Sequence, residues 1–102
     1  MTTDKTGAPT TVTAESDRYT IAVEGQEVGR LEFNDRDGQR VFTHTEVDEQ
    51  YEGRGLATIL IAEALQATSD AGLQIVAECP TVASYVKKHD DIDAIVTGDG
   101  DT

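Results

Sequence analysis

Gly53-Arg54-Gly55 is the stretch of this chain whose residue types and spacing most directly suggest chemistry. It lies in a charged turn, with Gln50 three residues before it. Upstream, Val41 to Val47 alternates like a strand; downstream, Leu56 to Ala67 is a long apolar run. A strand feeding a glycine-bearing turn and then a helix suits an anion. The first helical N–H groups have no partners inside the helix, point out of its end and carry the positive end of its dipole. Glycine at 53 and 55 removes the Cβ atoms that would hold a phosphate away, and Arg54 adds a planar cation. The same glycines would also serve a tight connection with no ligand. Two phosphate patterns do not fit: Thr58 occupies the sixth position of a dinucleotide G-x-G-x-x-G/A run, and no Gly-Lys-Ser/Thr follows as in a P-loop.

Four other side chains could act on a substrate. His44 and Glu46 fall on one face of the strand by its period of two, where either could take a proton from an ammonium group; a polar strand face explains them equally. Cys79 sits where a strand ends and Pro80 opens a helix, so its sulfur would face the positive helix end, a setting that favours a thiolate. Free cysteine is also a common buried small hydrophobe. Tyr85, six residues on, could donate a proton or simply pack its ring. The two histidines and one cysteine are too scattered for a zinc site, so no metal is expected.

Gln50-x-x-Gly53-x-Gly55 followed by Leu56-Ala57 resembles the acetyl-coenzyme A pyrophosphate loop of the GNAT N-acetyltransferase superfamily. With His44-Thr45-Glu46-Val47 upstream, and Cys79-Pro80 and Tyr85-x-x-Lys88-His89 downstream, residues 18 to 90 resemble the minimal single-domain GNAT-like proteins. The resemblance implies an α+β fold of the reduced acyl-CoA N-acyltransferase type. It implies acetyl-CoA held by Gln50, Gly53, Arg54, Gly55, Leu56, Ala57 and Thr58, with pantetheine along the backbone of Glu46 and Val47. It also implies that Cys79 lies near the thioester, either as an acyl carrier or as pocket lining. By the same resemblance, His44 or Glu46 takes a proton from an amine acceptor, and Tyr85 gives one to the departing CoA thiolate. Larger GNAT enzymes insert two helices after their first strand and carry further C-terminal strands; here Gly25-Gln26 joins the first strands directly. The acceptor, whether a small amine or a lysine side chain, is left unspecified.

The elements that position these residues read as follows. Met1 to Asp17 is threonine-rich and punctuated by Gly7-Ala8-Pro9, and is expected to be a disordered arm. Tyr19, Ile21 and Val23 mark a half-buried strand, and Val28 to Phe33 a second. Asp37-Gly38 signals a hairpin into a third strand, Arg40 to Val47, completing an antiparallel meander. A helix is expected from Arg54 to Asp70, stopped by Gly72, with a stripe broad enough to lie on a sheet. Leu73 to Glu78 reads as a fourth strand and Thr81 to His89 as a short helix, with Pro80 at its start. Ile92, Ala94, Ile95 and Val96 form a last strand or a packed tail, and residues 98–102 are expected to fray, leaving one domain over 18–97.

The chain has 102 residues, enough for one core, and 20 acidic against 8 basic residues, a net charge of −12. Nucleic acid and anionic membranes need a basic face, so neither is an expected partner. The acidity could attract a cationic substrate, but its even spread favours the pattern of salt-loving organisms. No stretch reaches the ~20 apolar residues of a membrane span. With a polar N-terminus and a single cysteine, a cytoplasmic monomer or weak dimer is expected. Three functions remain open: an acetyl-CoA-dependent N-acetyltransferase, a CoA-binding module without efficient turnover, and an acidic structural domain.

Overall fold

A computed structural model describes residues 2–3, 7–89 and 91–97. The strands β1 (Thr2–Thr3), β2 (Pro9–Ala14), β3 (Arg18–Val23), β4 (Gln26–Arg36) and β5 (Gln39–Val47) form an antiparallel meander. Helix α1 (Leu56–Asp70) then leads to β6 (Gln74–Ala77), and α2 (Pro80–Lys88) to β7 (Ala94–Val96). Strands β5, β6 and β7 run parallel, so the seven strands make one mixed sheet in sequence order.

Two hairpins fix the register of the meander. Glu24-Gly25 and Asp37-Gly38 both have positive φ and separate the pairs Val23–Gln26 and Arg36–Gln39. This is the two-residue turn whose twist matches paired strands, and Asp-Gly is one of its preferred sequences.

Both helices touch β5, β6 and each other, so they share one face of the sheet. Leu56, Leu60, Ile61, Ala64 and Leu65 of α1 and Val82, Ala83 and Val86 of α2 join Tyr19, Ile21, Leu31, Phe33, Phe42, Ile75 and Ala77 in one core. Arg40 closes the lower rim. Its guanidinium lies 4.3 Å from the Phe33 ring, donates to the Tyr19 hydroxyl and pairs with Asp35 at 2.7 Å.

The expected arm is partly a strand. Pro9–Ala14 pairs with β3 along five positions, and Thr10 is fully buried. Thr10-Thr11-Val12-Thr13 is a run of β-branched residues that suits a pleated surface, though threonine hides the apolar alternation. Met1 and residues 4–6, and the end from 98 to 102 expected to fray, lie outside the described residues. Helix α1 begins at Leu56 rather than Arg54 because Gly53 and Gly55 both take left-handed conformations. The apolar C-terminal cluster resolves into a parallel strand beside β6.

Candidate acyl-transfer site

The site forms where β5 and β6 part. β5 pairs with β4 along its length, from Gln39 to Val47, but with β6 only from Gln39 to Phe42. The Phe42 carbonyl then accepts from both Glu78 N–H and Cys79 N–H, at 3.1 and 2.8 Å, and the chain turns into α2. Among the described residues no strand pairs with Thr43–Val47 on that side. The result is a fork, with one arm a bare strand edge of backbone donors and acceptors.

A bulge sits at the base of this fork. Leu31 and Phe33, two apart on β4, face Thr45 and Phe42, three apart on β5. One extra residue on β5 reverses which side chains face the helices. Thr45 and Val47 therefore follow Phe42 onto the helix side, while His44 and Glu46 face the other. The contacts agree: Thr45 Oγ1 lies 3.3 Å from Cys79 Sγ, and Val47 packs on the core.

Beyond Val47 the chain makes a short 3-10 turn, Glu49–Tyr51, then passes Gly53 and Gly55 at φ 86° and 78°. Gly55 is the N-cap of α1, and its carbonyl accepts the first helical hydrogen bond, from Ile59 N–H at 3.1 Å. The N–H groups of Leu56, Ala57 and Thr58 thus precede the first helical donor, Ile59, and have no acceptor within the helix. A Cβ at Gly53 would meet nothing within 4 Å, so the loop is open on that side. Val47, Tyr51, Glu52, Gly53, Gly55, Leu56, Ala57 and Thr58 line a cavity of about 270 Å³ there. Tyr51 and Glu52 are additions that the motif did not indicate. The Arg54 guanidinium lies 4.8 Å above the Tyr51 ring, and Gln50 is exposed outside the cavity.

Cys79 is the N-cap of α2 and is 3% exposed. Its thiol makes no cap hydrogen bond; it turns to Thr45 instead of the helix end. This corrects the expectation drawn from the dipole, because the cap position places the backbone while the rotamer aims the sulfur into the fork.

On the helix-free face, Glu46 Oε1 accepts from His44 Nε2 at 3.1 Å and from Arg30 Nη2 at 3.0 Å. Arg30 Nε also donates to Glu32 at 2.6 Å. The His44 hydrogen bond, and then the Arg30 charge, hold the Glu46 carboxyl below its ordinary value. Arg30 is a site neighbour that sequence reasoning missed; only its cross-strand register with Glu46 could have revealed it.

Tyr85 is not brought to the glycine loop. Its ring stacks on His89 with centroids 4.0 Å apart, and it borders a separate cavity of about 620 Å³ between α1, α2 and the start of β6. Among the described residues no group of three or more His, Cys, Asp or Glu gathers to hold a metal, and no helix is long and apolar enough to cross a membrane.

Residues 18–95 match the family model described as GCN5-related N-acetyl-transferase. The fold also resembles the crystal structure of a ribosomal-protein-alanine N-acetyltransferase from Brucella melitensis biovar Abortus 2308, with a TM-score of 0.56 and 24% identity. That match covers 78% of this chain and 64% of the other, so this chain spans less than two thirds of its neighbour's length. No curated protein sequence matches.

Proposed function

Because the chain belongs to the GCN5-related N-acetyltransferase family, we propose that it binds acetyl-CoA at the fork and transfers the acetyl group to a primary amine. The observation that carries this reading is the bare edge of Thr43–Val47 running into a glycine loop and an open helix N-terminus. The residues fit the ligand in two ways. A strand edge matches the amides of a pantetheine arm, and the N–H groups of Gly53, Arg54, Gly55, Leu56, Ala57 and Thr58 suit a pyrophosphate.

When bound, acetyl-CoA supplies an activated acetyl thioester; the chain supplies placement and proton transfer. Thr45 and Cys79 line the throat of the fork. His44 and Glu46 lie on the opposite face and are each 53% exposed, open to an acceptor arriving as an ammonium ion. One of them removes the proton that blocks the nitrogen lone pair. The departing thiolate takes its proton from the attacking nitrogen, because Tyr85 stacks on His89 and borders the separate cavity instead of the fork.

A second reading is a CoA-binding module without efficient turnover. It is favoured by the face carrying His44 and Glu46, which neither helix covers. Calorimetry with acetyl-CoA and with CoA tests the binding common to both readings, and absence of binding to either sinks both. A CoA-release assay over amines and lysine peptides then separates them; binding without release leaves the module.

A further inference from the structure

The carboxylate beside the fork has two partners, and they divide the labour on the acceptor side. Glu46 Oε1 meets both His44 Nε2, at 3.1 Å, and Arg30 Nη2, at 3.0 Å. Arg30 is itself fixed on its other side by Glu32, at 2.6 Å. The register explains the arrangement: Arg30 stands directly across from Glu46, and Glu32 directly across from His44, so all four side chains share the helix-free face.

An ionised carboxylate can only accept hydrogen bonds. The neutral His44 ring must therefore carry its proton on Nε2, leaving a lone pair on Nδ1. Glu46 has spent its Oε1 on two donors, one of them a permanent cation, which makes it the poorer base of the two. We infer that Arg30 is a positioning residue: it pins Glu46, which holds His44 in the tautomer whose Nδ1 takes the proton from the acceptor ammonium.

This rests on the acetyltransferase reading. The proton balance is closed: the ammonium gives one proton to His44 Nδ1, and the neutral amine attacks the acetyl carbonyl. The nitrogen's second proton leaves as the C–S bond breaks and the thiolate is protonated. His44 then returns its proton to water.

Four single variants and one double variant of exposed or half-exposed residues test the chain of contacts. His44→Ala should lose about 10² to 10⁴ in kcat, partly restored by added imidazole. Glu46→Gln and Arg30→Gln should each lose about tenfold, with acetyl-CoA affinity by calorimetry unchanged. Because they act in series, the double variant Arg30→Gln/Glu46→Gln should be no slower than either single one. Arg30→Lys, which keeps the charge, should recover part of the Arg30→Gln loss.

A readout independent of turnover is the nitrogen NMR of the His44 ring. It should report Nε2–H in the native chain and a mixture of tautomers in Arg30→Gln. Losses that multiply in the double variant, an Nδ1–H ring in the native chain, or Glu46→Gln slower than His44→Ala would each overturn the assignment. A native chain that binds acetyl-CoA, shows the Nε2–H ring and acetylates nothing would instead refute the catalytic reading on which it rests.

Discussion

Replacing Gly29 with alanine tests how tightly the sheet is drawn together beside the site. Gly29 lies on β4 between Ile21 of β3 and Val47 of β5. A Cβ built there would sit 3.0 Å from Ile21 Cγ2, 3.1 Å from the Glu46 carbonyl and 3.1 Å from Val47 Cγ2. All three fall a few tenths of an ångström short of ordinary contact. Ile21 is fully buried and the Glu46 carbonyl is backbone, so neither can swing aside. Overpacking of this kind costs about 1–3 kcal/mol, from which the stiffer unfolded chain of an alanine returns about 0.4–1 kcal/mol. The net is a loss of about 1–2 kcal/mol. For a domain of this size each kcal/mol moves Tm by about 4–8 °C, so a fall of about 5–15 °C is expected. Urea unfolding should show a lower midpoint at unchanged slope. Val47 is the neighbour best able to yield, and it lines the glycine-loop cavity, so acetyl-CoA affinity should fall several-fold as well. A variant as stable as the native chain would refute the steric argument; lost stability with unchanged affinity would refute the link to the loop.

Gly55→Val forces a branched side chain into a left-handed conformation, at φ 78°, and blocks the helix end; acetyl-CoA binding by calorimetry should weaken at least tenfold. With its thiol buried and turned to Thr45, Cys79 should line the throat without carrying the acetyl group. Cys79→Ala should then keep measurable turnover, and mass spectrometry after incubation with acetyl-CoA alone should show no adduct; one added acetyl group on Cys79 would prove otherwise. The hydrogen bond from Arg40, then its charge, holds the Asp35 carboxyl below its ordinary 3.8. That stability is present above the unfolded value and is lost as pH falls through the lower folded one. Asp35→Asn should therefore cost at most about 1 kcal/mol near neutrality and progressively less as pH falls below the carboxyl's ordinary value, read by thermal unfolding. Arg40→Ala should cost more, about 1–3 kcal/mol, because it leaves the buried Tyr19 hydroxyl without its donor.

Much of the frame was legible because local signals agreed with the tertiary result. Asp37-Gly38 made its hairpin, the Leu56–Asp70 stripe lies on the sheet, and Pro80 opens α2. Pro9–Ala14 escaped notice because its buried contact is a threonine, Thr10, and composition reads threonine as polar. The site was legible at the glycine loop, whose chemistry is local, and less so on β5. No pattern along Val41–Val47 announces the extra residue that sends Thr45 one way and Glu46 the other; that depends on pairing with β4. For the same reason Arg30 was invisible, since its partner is 16 positions away. The direction of the Cys79 thiol depends on a rotamer chosen by packing, which sequence does not encode locally.

The parting of β5 and β6 has a thermodynamic consequence. A strand edge left bare inside a sheet is an unfinished element, and whatever pairs with it completes the fold as well as filling a site. Such a ligand binds the native chain and not the unfolded one, so its concentration enters the folding equilibrium directly. At a free concentration one hundred times its Kd it would add about 2.7 kcal/mol, a large share of the 5–15 kcal/mol that typically separates a domain from its unfolded state. The abundance of a chain this small would then track the supply of its ligand, even where its catalytic rate does not.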